Sequence, residues 1–126
     1  MTHPQEQLLR SFYAAIDAKD WALATAALTP DCRWHILAND VVEAASVVGP
    51  ASVADWFQSA LGAVQTEQTI EQIAYEGADG VAVFTTATVT TANGPSRSRS
   101  RSRSRWIDVF RFSGDLINEH VSVQVS

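Results

Sequence analysis

The chain has 126 residues, a formal net charge of −5, 46% hydrophobic residues and 18% charged residues, which is typical of one soluble globular domain, residues 1–126. No apolar run approaches the roughly 18 residues that span a bilayer, and the N-terminus lacks the basic and apolar segments of a secretory signal. We therefore expect a cytoplasmic protein with no membrane partner. The single cysteine excludes an internal disulfide, and no His or Cys spacing predicts a metal site.

Two helices are predicted at the start of the chain. Thr2 is a candidate N-cap for the first helix, which extends to about Ala18 with apolar residues at helical spacing. Asp20 can cap a second, short helix from Trp21 to Leu28, which we expect to end there because a Thr-Pro pair follows. The two helices are expected to pack as a hairpin.

A strand and a third helix are predicted next. Residues 32–37, CRWHIL, alternate as a half-buried strand does, with His35 and Ile36 on opposite faces. A weak second strand is predicted between residues 41 and 48. A Gly-Pro pair then introduces a helix over residues 51–61.

The remaining chain is predicted to form a meander of long strands rich in Val, Thr and Phe. The four strands cover residues 66–76, 81–91, a stretch that includes 106–112, and 116–125. Three N-terminal helices packed on a strongly curved, mainly antiparallel sheet define an α+β fold, a conical α+β barrel. We expect a small molecule to bind at the open end of such a cone.

Asp108 is the unusual residue of the third long strand. Because side chains alternate across a strand, this carboxylate shares a face with Trp106, Phe110 and Phe112. An acid in an apolar pocket tends to stay protonated and can donate a hydrogen bond to a substrate oxygen. The alternative is an acid at a sheet edge that is bonded to a backbone amide or an arginine.

The Arg-Ser run, residues 96–105, is a low-complexity segment that holds five of the eight arginines, so the rest of the chain carries −10. As a continuous strand it would place its arginines on the face of Ile107 and its serines on the face of Asp108. Alternatively it is a mobile hairpin tip, or a tract that binds RNA or is phosphorylated. We expect it to neutralise the acidic body, and nucleic acid is not an expected partner because stacking aromatics are missing.

The layout resembles the nuclear-transport-factor-2-like superfamily, and within it the ketosteroid isomerases and SnoaL-like polyketide cyclases. The segments that carry the resemblance are LLRSFYAAIDAKDW with LTPDCRWHI, VVGPASVADWFQSAL, and the terminal hairpin WIDVFRFSGDLINEH. The resemblance covers nearly the whole chain. It implies a conical α+β fold with an apolar pocket and a homodimer formed through the sheet.

The resemblance also assigns roles to single positions. Asp108 matches the protonated oxyanion-hole acid of ketosteroid isomerases, the enzymes in which a neutral aspartic acid of this kind is documented. Phe12 stands at their oxyanion tyrosine, with Tyr13 beside it, and Ile36 stands at their general base. An acid of the cyclases and epoxide hydrolases is replaced by Ser122. Steroid isomerisation by the known constellation is therefore not expected.

A replacement base is sought among the histidines, which titrate near neutral pH. His120 is the first choice because the family register turns its face toward the cavity, and His35 reaches the pocket only if a bulge intervenes.

The predicted enzyme is a cofactor-independent isomerase or cyclase acting on a small apolar carbonyl compound. The alternative is a non-catalytic ligand-binding or dimerisation module. The predicted substrate-binding residues are Phe12, Tyr13, Trp34, Ile36, Trp56, Phe84, Trp106, Phe110, Phe112 and Ser122.

Overall fold

The computed structural model describes residues 4–37, 43–77, 79–93 and 98–126, with side chains except at residues 4, 91–93 and 98–102. Three predicted features therefore lie wholly or partly outside the described residues: the Thr2 cap, residues 41 and 42 of the predicted weak strand, and residues 96 and 97 of the Arg-Ser run. Within the described ranges, no helix combines the length and the apolar character that are needed to cross a membrane.

The helices are α1 (Pro4–Asp17), α2 (Trp21–Thr25) and α3 (Pro50–Leu61). The strands are β1 (Leu28–Ile36), β2 (Ala45–Val48), β3 (Gln65–Glu76), β4 (Gly80–Asn93), β5 (Ser98–Ser113) and β6 (Leu116–Gln124). The α+β architecture that was predicted, with three helices on a mainly antiparallel sheet, is confirmed.

All six strands belong to one sheet, in the order β2-β1-β6-β5-β4-β3. Neighbouring strands are antiparallel except β1 and β6, which pair in parallel. The sheet is not closed, and β2 and β3 form its two edges. The parallel pair, formed by the second and third strands of this order, brings residues from the first third of the chain beside residues from its last ten.

The predicted end of the second helix at Leu28 is wrong. Asp20 caps α2 as expected, by accepting a hydrogen bond from the amide of Leu23 at 3.1 Å. The helix nevertheless ends at Thr25, because Leu28 already begins β1 and lies opposite Ile117 of β6. Pro30 is tolerated in this strand because the pairing with β6 is irregular between residues 28 and 33, where a ladder N–H is not required.

The Arg-Ser run is a regular strand from Ser98 onward. The register of β4 with β5 runs without a break from Gly80 opposite Arg111 to Asn93 opposite Ser98. Ser104 shares the face of Trp106, whose indole N–H donates to its hydroxyl at 2.7 Å. Arg105, on the other face, lies 3.7 Å from the carboxylate of Glu71. For residues 98–105 the strand alternative is therefore confirmed, whereas RNA binding by the run stays an untested alternative.

Candidate functional site

A cavity of about 110 Å³ lies between the helices and the inner face of the sheet. For comparison, an engineered cavity of about 150 Å³ accommodates benzene, so the enclosed space suits about one small ring. Five of the lining residues are partly exposed, which places the opening of the cavity on their side: Trp56, Leu61, Thr66, Gln68 and Trp106. The other lining residues are buried.

Asp108 stands in the inner wall of this cavity, where it is 7% exposed. The register places it opposite Ser122 of β6 and Val83 of β4, and Ser122 lies opposite Ile36 of β1. Residues opposite one another in a sheet share a face. Ile36, Ser122 and Asp108 therefore form one row across three strands, and the row points into the cavity.

Three side chains donate hydrogen bonds to the Asp108 carboxylate. The Tyr13 hydroxyl, from α1, donates to Oδ2 at 2.5 Å. The His120 ring nitrogen Nε2 lies 3.2 Å from Oδ1, and the Ser122 hydroxyl donates to the same carboxylate. A buried charge is tolerated when such partners replace water, so the network explains how an acid persists in an apolar wall.

These bonds set the charge of Asp108. Burial by itself raises the pKa of this carboxyl group, but the hydrogen bond and charge of His120, with the hydrogen bonds from Tyr13 and Ser122, outweigh burial and lower the pKa. The expectation of a protonated Asp108 that donates to a substrate oxygen is therefore wrong. The sequence shows the apolar neighbours of the strand but not the three donors that surround the acid in space.

Tyr13 stays a neutral phenol beside this charge. Burial, and then the charge and hydrogen bond of Asp108, raise the pKa of the Tyr13 hydroxyl well above its ordinary value. The hydroxyl therefore keeps its hydrogen and serves as a donor. Its pairing with Asp108, across 95 positions of the chain, was not foreseen from the sequence.

Tyr13→Phe should destabilise the fold at neutral pH by about 1–3 kcal/mol, because the variant removes a donor from a buried charge. Because the folded pKa of Asp108 lies below its unfolded value, its contribution to stability is present above the unfolded pKa of about 4. It is lost as the pH falls through the folded pKa. With one donor removed, that loss on acidification should be smaller in the variant. Urea unfolding of both proteins between pH 7 and pH 3 measures the difference.

The control for this experiment is the second tyrosine of the chain, Tyr75. It lies on β3 and is not among the donors to Asp108. Tyr75→Phe should leave the pH dependence of the unfolding free energy as in the wild type. Parallel stability curves for the wild type and Tyr13→Phe would contradict the assigned network.

His120 lies in the row next to Asp108, between Trp34 of β1 and Phe110 of β5. Its ring stacks on Trp34 with centroids 3.8 Å apart and lies 4.8 Å from the ring of Phe110. An ionised carboxylate only accepts hydrogen bonds, so the nitrogen that faces it, Nε2, carries a hydrogen. The other ring nitrogen, Nδ1, is enclosed and has no hydrogen-bond partner among the described residues.

Most of the predicted site residues are brought together by the fold. Those that line the cavity are Phe12, Tyr13, Trp34, Ile36, Trp56, Trp106, Asp108, His120 and Ser122. Phe110 and Phe112 are 0% and 6% exposed and belong to the core, where they do not contribute to the cavity wall. The prediction that they contact substrate is therefore not supported by their positions.

Two predicted residues lie on the other face of the sheet. Phe84 is opposite Ile107, one position away from the row of Asp108, so alternation turns it outward. His35 bonds to the Ser46 hydroxyl at 2.7 Å and lies 3.5 Å from the carboxylate of Glu119. The pairing of residues 33–36 with β6 is regular, so no bulge turns His35 toward the cavity and it is excluded as the base.

Seven lining residues were not predicted: Ile16, Phe57, Leu61, Thr66, Gln68, Ala87 and Val89. Ala87 and Val89 share the parity of Val83, which lies opposite Asp108, and that register was the signal that could have identified them. Thr66 and Gln68 belong to a strand with polar residues on both faces, so alternation of hydrophobicity gives no inward direction for it.

Asp17, at the end of α1, holds the part of β3 that borders the opening. Its Oδ1 accepts hydrogen bonds from the Thr66 hydroxyl at 2.8 Å and the Gln68 side-chain Nε2 at 3.1 Å, and its Oδ2 accepts from the Gln68 backbone amide at 3.0 Å. Lys19 adds bonds from its ammonium group to the carbonyls of Leu61, at 2.9 Å, and of Val64. Asp17 and Lys19 thus hold the segment that connects α3 to β3 by hydrogen bonds.

The site offers acid–base and hydrogen-bonding groups. Among the residues that the structure describes, no group of three or more His, Cys, Asp or Glu side chains is placed to hold a metal ion. The reactive groups are an ionised carboxylate, an imidazole, a phenol and a hydroxyl, surrounded by aromatic rings.

Comparison with known proteins identifies the family. Residues 9–120 match the model of the SnoaL-like domain. The chain belongs to the SnoaL-like domain family, which confirms the resemblance seen in the sequence. No curated protein sequence matches the chain.

Solved structures show the same fold at low sequence identity. An NTF2-like protein of unknown function from Burkholderia pseudomallei K96243 is 19% identical, with 98% of this chain and 92% of that chain covered and a TM-score of 0.83. A protein named as a SnoaL-like polyketide cyclase from Shewanella denitrificans OS-217 is 13% identical, with 95% and 89% covered and a TM-score of 0.77. An LEH-like epoxide hydrolase from M. tuberculosis is 20% identical, with 94% and 80% covered and a TM-score of 0.71.

Proposed function

We propose that the chain is a cofactor-independent enzyme of the isomerase or cyclase type, which moves a proton on a small apolar carbonyl compound bound in the cavity. The observation that supports this most directly is the ionised Asp108 carboxylate, held by three donors in an aromatic cavity. A carboxylate can accept a proton from a bound molecule, and the apolar wall excludes competing water.

In the proposed reaction, a proton leaves the carbon next to the substrate carbonyl and arrives at Asp108. Negative charge then moves from the carboxylate to the carbonyl oxygen, which becomes an enolate. Protonation of Asp108 frees the hydroxyls of Tyr13 and Ser122 to donate to that new anion. Return of the proton from Asp108 to another carbon re-forms the carbonyl and completes an isomerisation. In a ring closure, the enolate carbon instead attacks a second carbonyl, whose oxygen becomes an alkoxide and takes the proton back from Asp108.

This mechanism gives the base role to Asp108 and a positioning role to His120. The side chain of Asp108 is 9% exposed, whereas Nδ1 of His120 is enclosed and Nε2 faces Asp108. His120 therefore holds the carboxylate and does not meet the substrate through a free nitrogen. An aspartate whose pKa is raised only modestly, to about 4.6, serves as the base in ketosteroid isomerase, so this chemistry does not require a strongly raised carboxyl pKa.

The test is proton exchange on 2-tetralone, a ketone whose carbonyl-bearing ring matches the enclosed space. Dissolved in heavy water with the wild-type protein, the ketone should lose its α-protons faster than in buffer alone, as followed by proton NMR. Absence of any acceleration, together with demonstrated binding, would contradict the enzyme proposal.

The second candidate is a non-catalytic module that binds a small apolar ligand in the same cavity. Its support is the residue in the row of Asp108 on β1, Ile36, which cannot take a proton. Binding of 2-tetralone without accelerated exchange is the result that this candidate predicts.

We also propose that a second copy of the chain packs on the outer face of the sheet. Ile107 lies opposite Val123, and Val109 opposite Val121, so four apolar side chains form one patch there. Val109 is 36% exposed, and the next row carries charges of both signs, Arg111 and Glu119. An exposed apolar patch with a polar rim is typical of an interface.

Val109→Arg should convert the dimer to a monomer, because the variant places a charge in the centre of the apolar patch. Sedimentation velocity of the two proteins at equal concentration measures the change. Leu23→Arg is the control, because Leu23 is 56% exposed and lies on α2, on the opposite side of the sheet from the patch. A wild-type protein that is monomeric at all concentrations would contradict the proposed dimer.

A further inference from the structure

The orientation of the Gln68 side chain is determined by Asp17. The carboxylate of Asp17 accepts from both the backbone amide of Gln68, at 3.0 Å, and its side-chain Nε2, at 3.1 Å. A carboxylate has no hydrogen to donate, so the amide nitrogen of Gln68 must be the end that faces Asp17. The carbonyl oxygen Oε1 is then the polar side-chain atom of Gln68 that a ligand in the cavity can use.

Gln68 and Asp108 lie at two ends of the cavity wall. Gln68 is opposite Ala87 of β4, while Asp108 is opposite Val83 of the same strand. Their positions differ by four residues along β4, about 13 Å, and β3 and β5 lie on opposite sides of that strand. Gln68 belongs to the partly exposed side of the cavity and Asp108 to its buried side. A ligand with its reacting end at Asp108 would present its far end to Gln68.

We propose that Gln68 is a specificity residue, which selects ligands that carry a hydroxyl or N–H donor at the end remote from Asp108. Asp17 is its positioning residue, because the carboxylate prevents the amide from presenting its nitrogen. The inference rests on the cavity being the ligand site, as the proposed function requires, but it does not depend on proton transfer.

The test compares two ketones that differ in one group, 6-hydroxy-2-tetralone and 6-methoxy-2-tetralone. The hydroxyl can donate to Oε1 of Gln68 and the methoxyl group cannot. One hydrogen bond of ordinary strength gives the hydroxy compound roughly 2- to 12-fold tighter binding to the wild type. Isothermal titration calorimetry measures both dissociation constants.

Asp17→Asn should exchange donor and acceptor in the contact between the two side chains. The carbonyl of the substituted side chain can still accept from the Gln68 backbone amide, and its NH₂ group then points toward the Gln68 side chain, which must rotate to accept with Oε1. Gln68 would then offer Nε2 to the cavity, and the preference for the hydroxy compound should fall to about equal binding. Gln68→Leu should abolish the preference in the same way, and it leaves Asp17 unchanged.

Gln72→Leu is the matched control, because Gln72 is an exposed glutamine of the same strand. This variant should keep the wild-type preference. A preference that persists in Gln68→Leu, an unchanged preference in Asp17→Asn, or no binding of either ketone would overturn the inference.

Asp108→Asn distinguishes this inference from the proposed function. The proposed function predicts that this variant loses proton exchange, whereas the inference predicts that it keeps the preference for the hydroxy compound. A wild-type protein that shows the preference without exchange contradicts only the proposed function.

Discussion

Asp108→Asn should lower kcat for α-proton exchange on 2-tetralone by about 10²- to 10⁴-fold, the range that a general base contributes. The amide cannot accept the substrate proton, although it has nearly the shape of the carboxylate. KM should change far less than kcat, because the apolar wall that binds the ketone is untouched. Initial rates over a range of ketone concentrations measure both constants.

Asp115→Asn provides the matched control for this variant. Asp115 is exposed in the turn between β5 and β6, so the same chemical change there should leave kcat unaltered. Circular dichroism and the urea midpoint of Asp108→Asn establish that it is folded, since one amide cannot satisfy three donors as the carboxylate does. Undiminished exchange by a folded Asp108→Asn protein would remove Asp108 from the mechanism.

Phe110→Ala should lower the free energy of unfolding by about 3–5 kcal/mol, the range for removal of a fully buried aromatic ring. Phe110 is 0% exposed, and its ring centroid lies 6.0 Å from that of Phe12, 6.2 Å from Tyr13 and 4.8 Å from His120. Removal of the ring would leave a cavity and would eliminate its packing against Phe12, Tyr13 and His120. Urea unfolding at neutral pH measures the loss.

Phe84→Ala is the control, because the same atoms are removed from a partly exposed side chain on the outer face of the sheet. The decrease in the free energy of unfolding for Phe84→Ala should be well under half of the decrease for Phe110→Ala. Equal losses at the two positions would show that Phe110 is not the centre of the packing described above.

The order of helices and strands could be predicted because each long element carries its own local pattern. The alternation of β5 was sufficient to place Asp108 on the inner face and the serine of position 104 beside it. The sequence prediction extended the second helix too far, because an apolar residue such as Leu28 fits the pattern of a helix and the pattern of a strand equally well. Its assignment depends on pairing with β6, which begins 88 residues later and has no local signal.

The candidate site could be predicted only in part, because local patterns assign residues to a face but do not show contacts between elements that are distant in sequence. Alternation placed His120 and Ser122 on one face of the last strand, and the family resemblance turned that face toward the cavity. The charge of Asp108 could not be foreseen, because it depends on donors from other elements, above all Tyr13 of α1. Gln68 was missed because its proposed role follows from a contact with Asp17, across 51 positions, and not from its own strand.

The parallel pairing of β1 with β6 has a consequence for how the chain folds. Contacts between residues that are distant in sequence form slowly, because a long loop must close before they are gained. Tyr13 and Asp108 meet across 95 positions, and Trp34 lies opposite His120 across the parallel pair. The chemistry of the cavity is therefore absent from any fragment or early intermediate, and it arises only when the last strand docks. A ligand that binds there would be a probe of complete folding, and it would stabilise the whole chain by mass action.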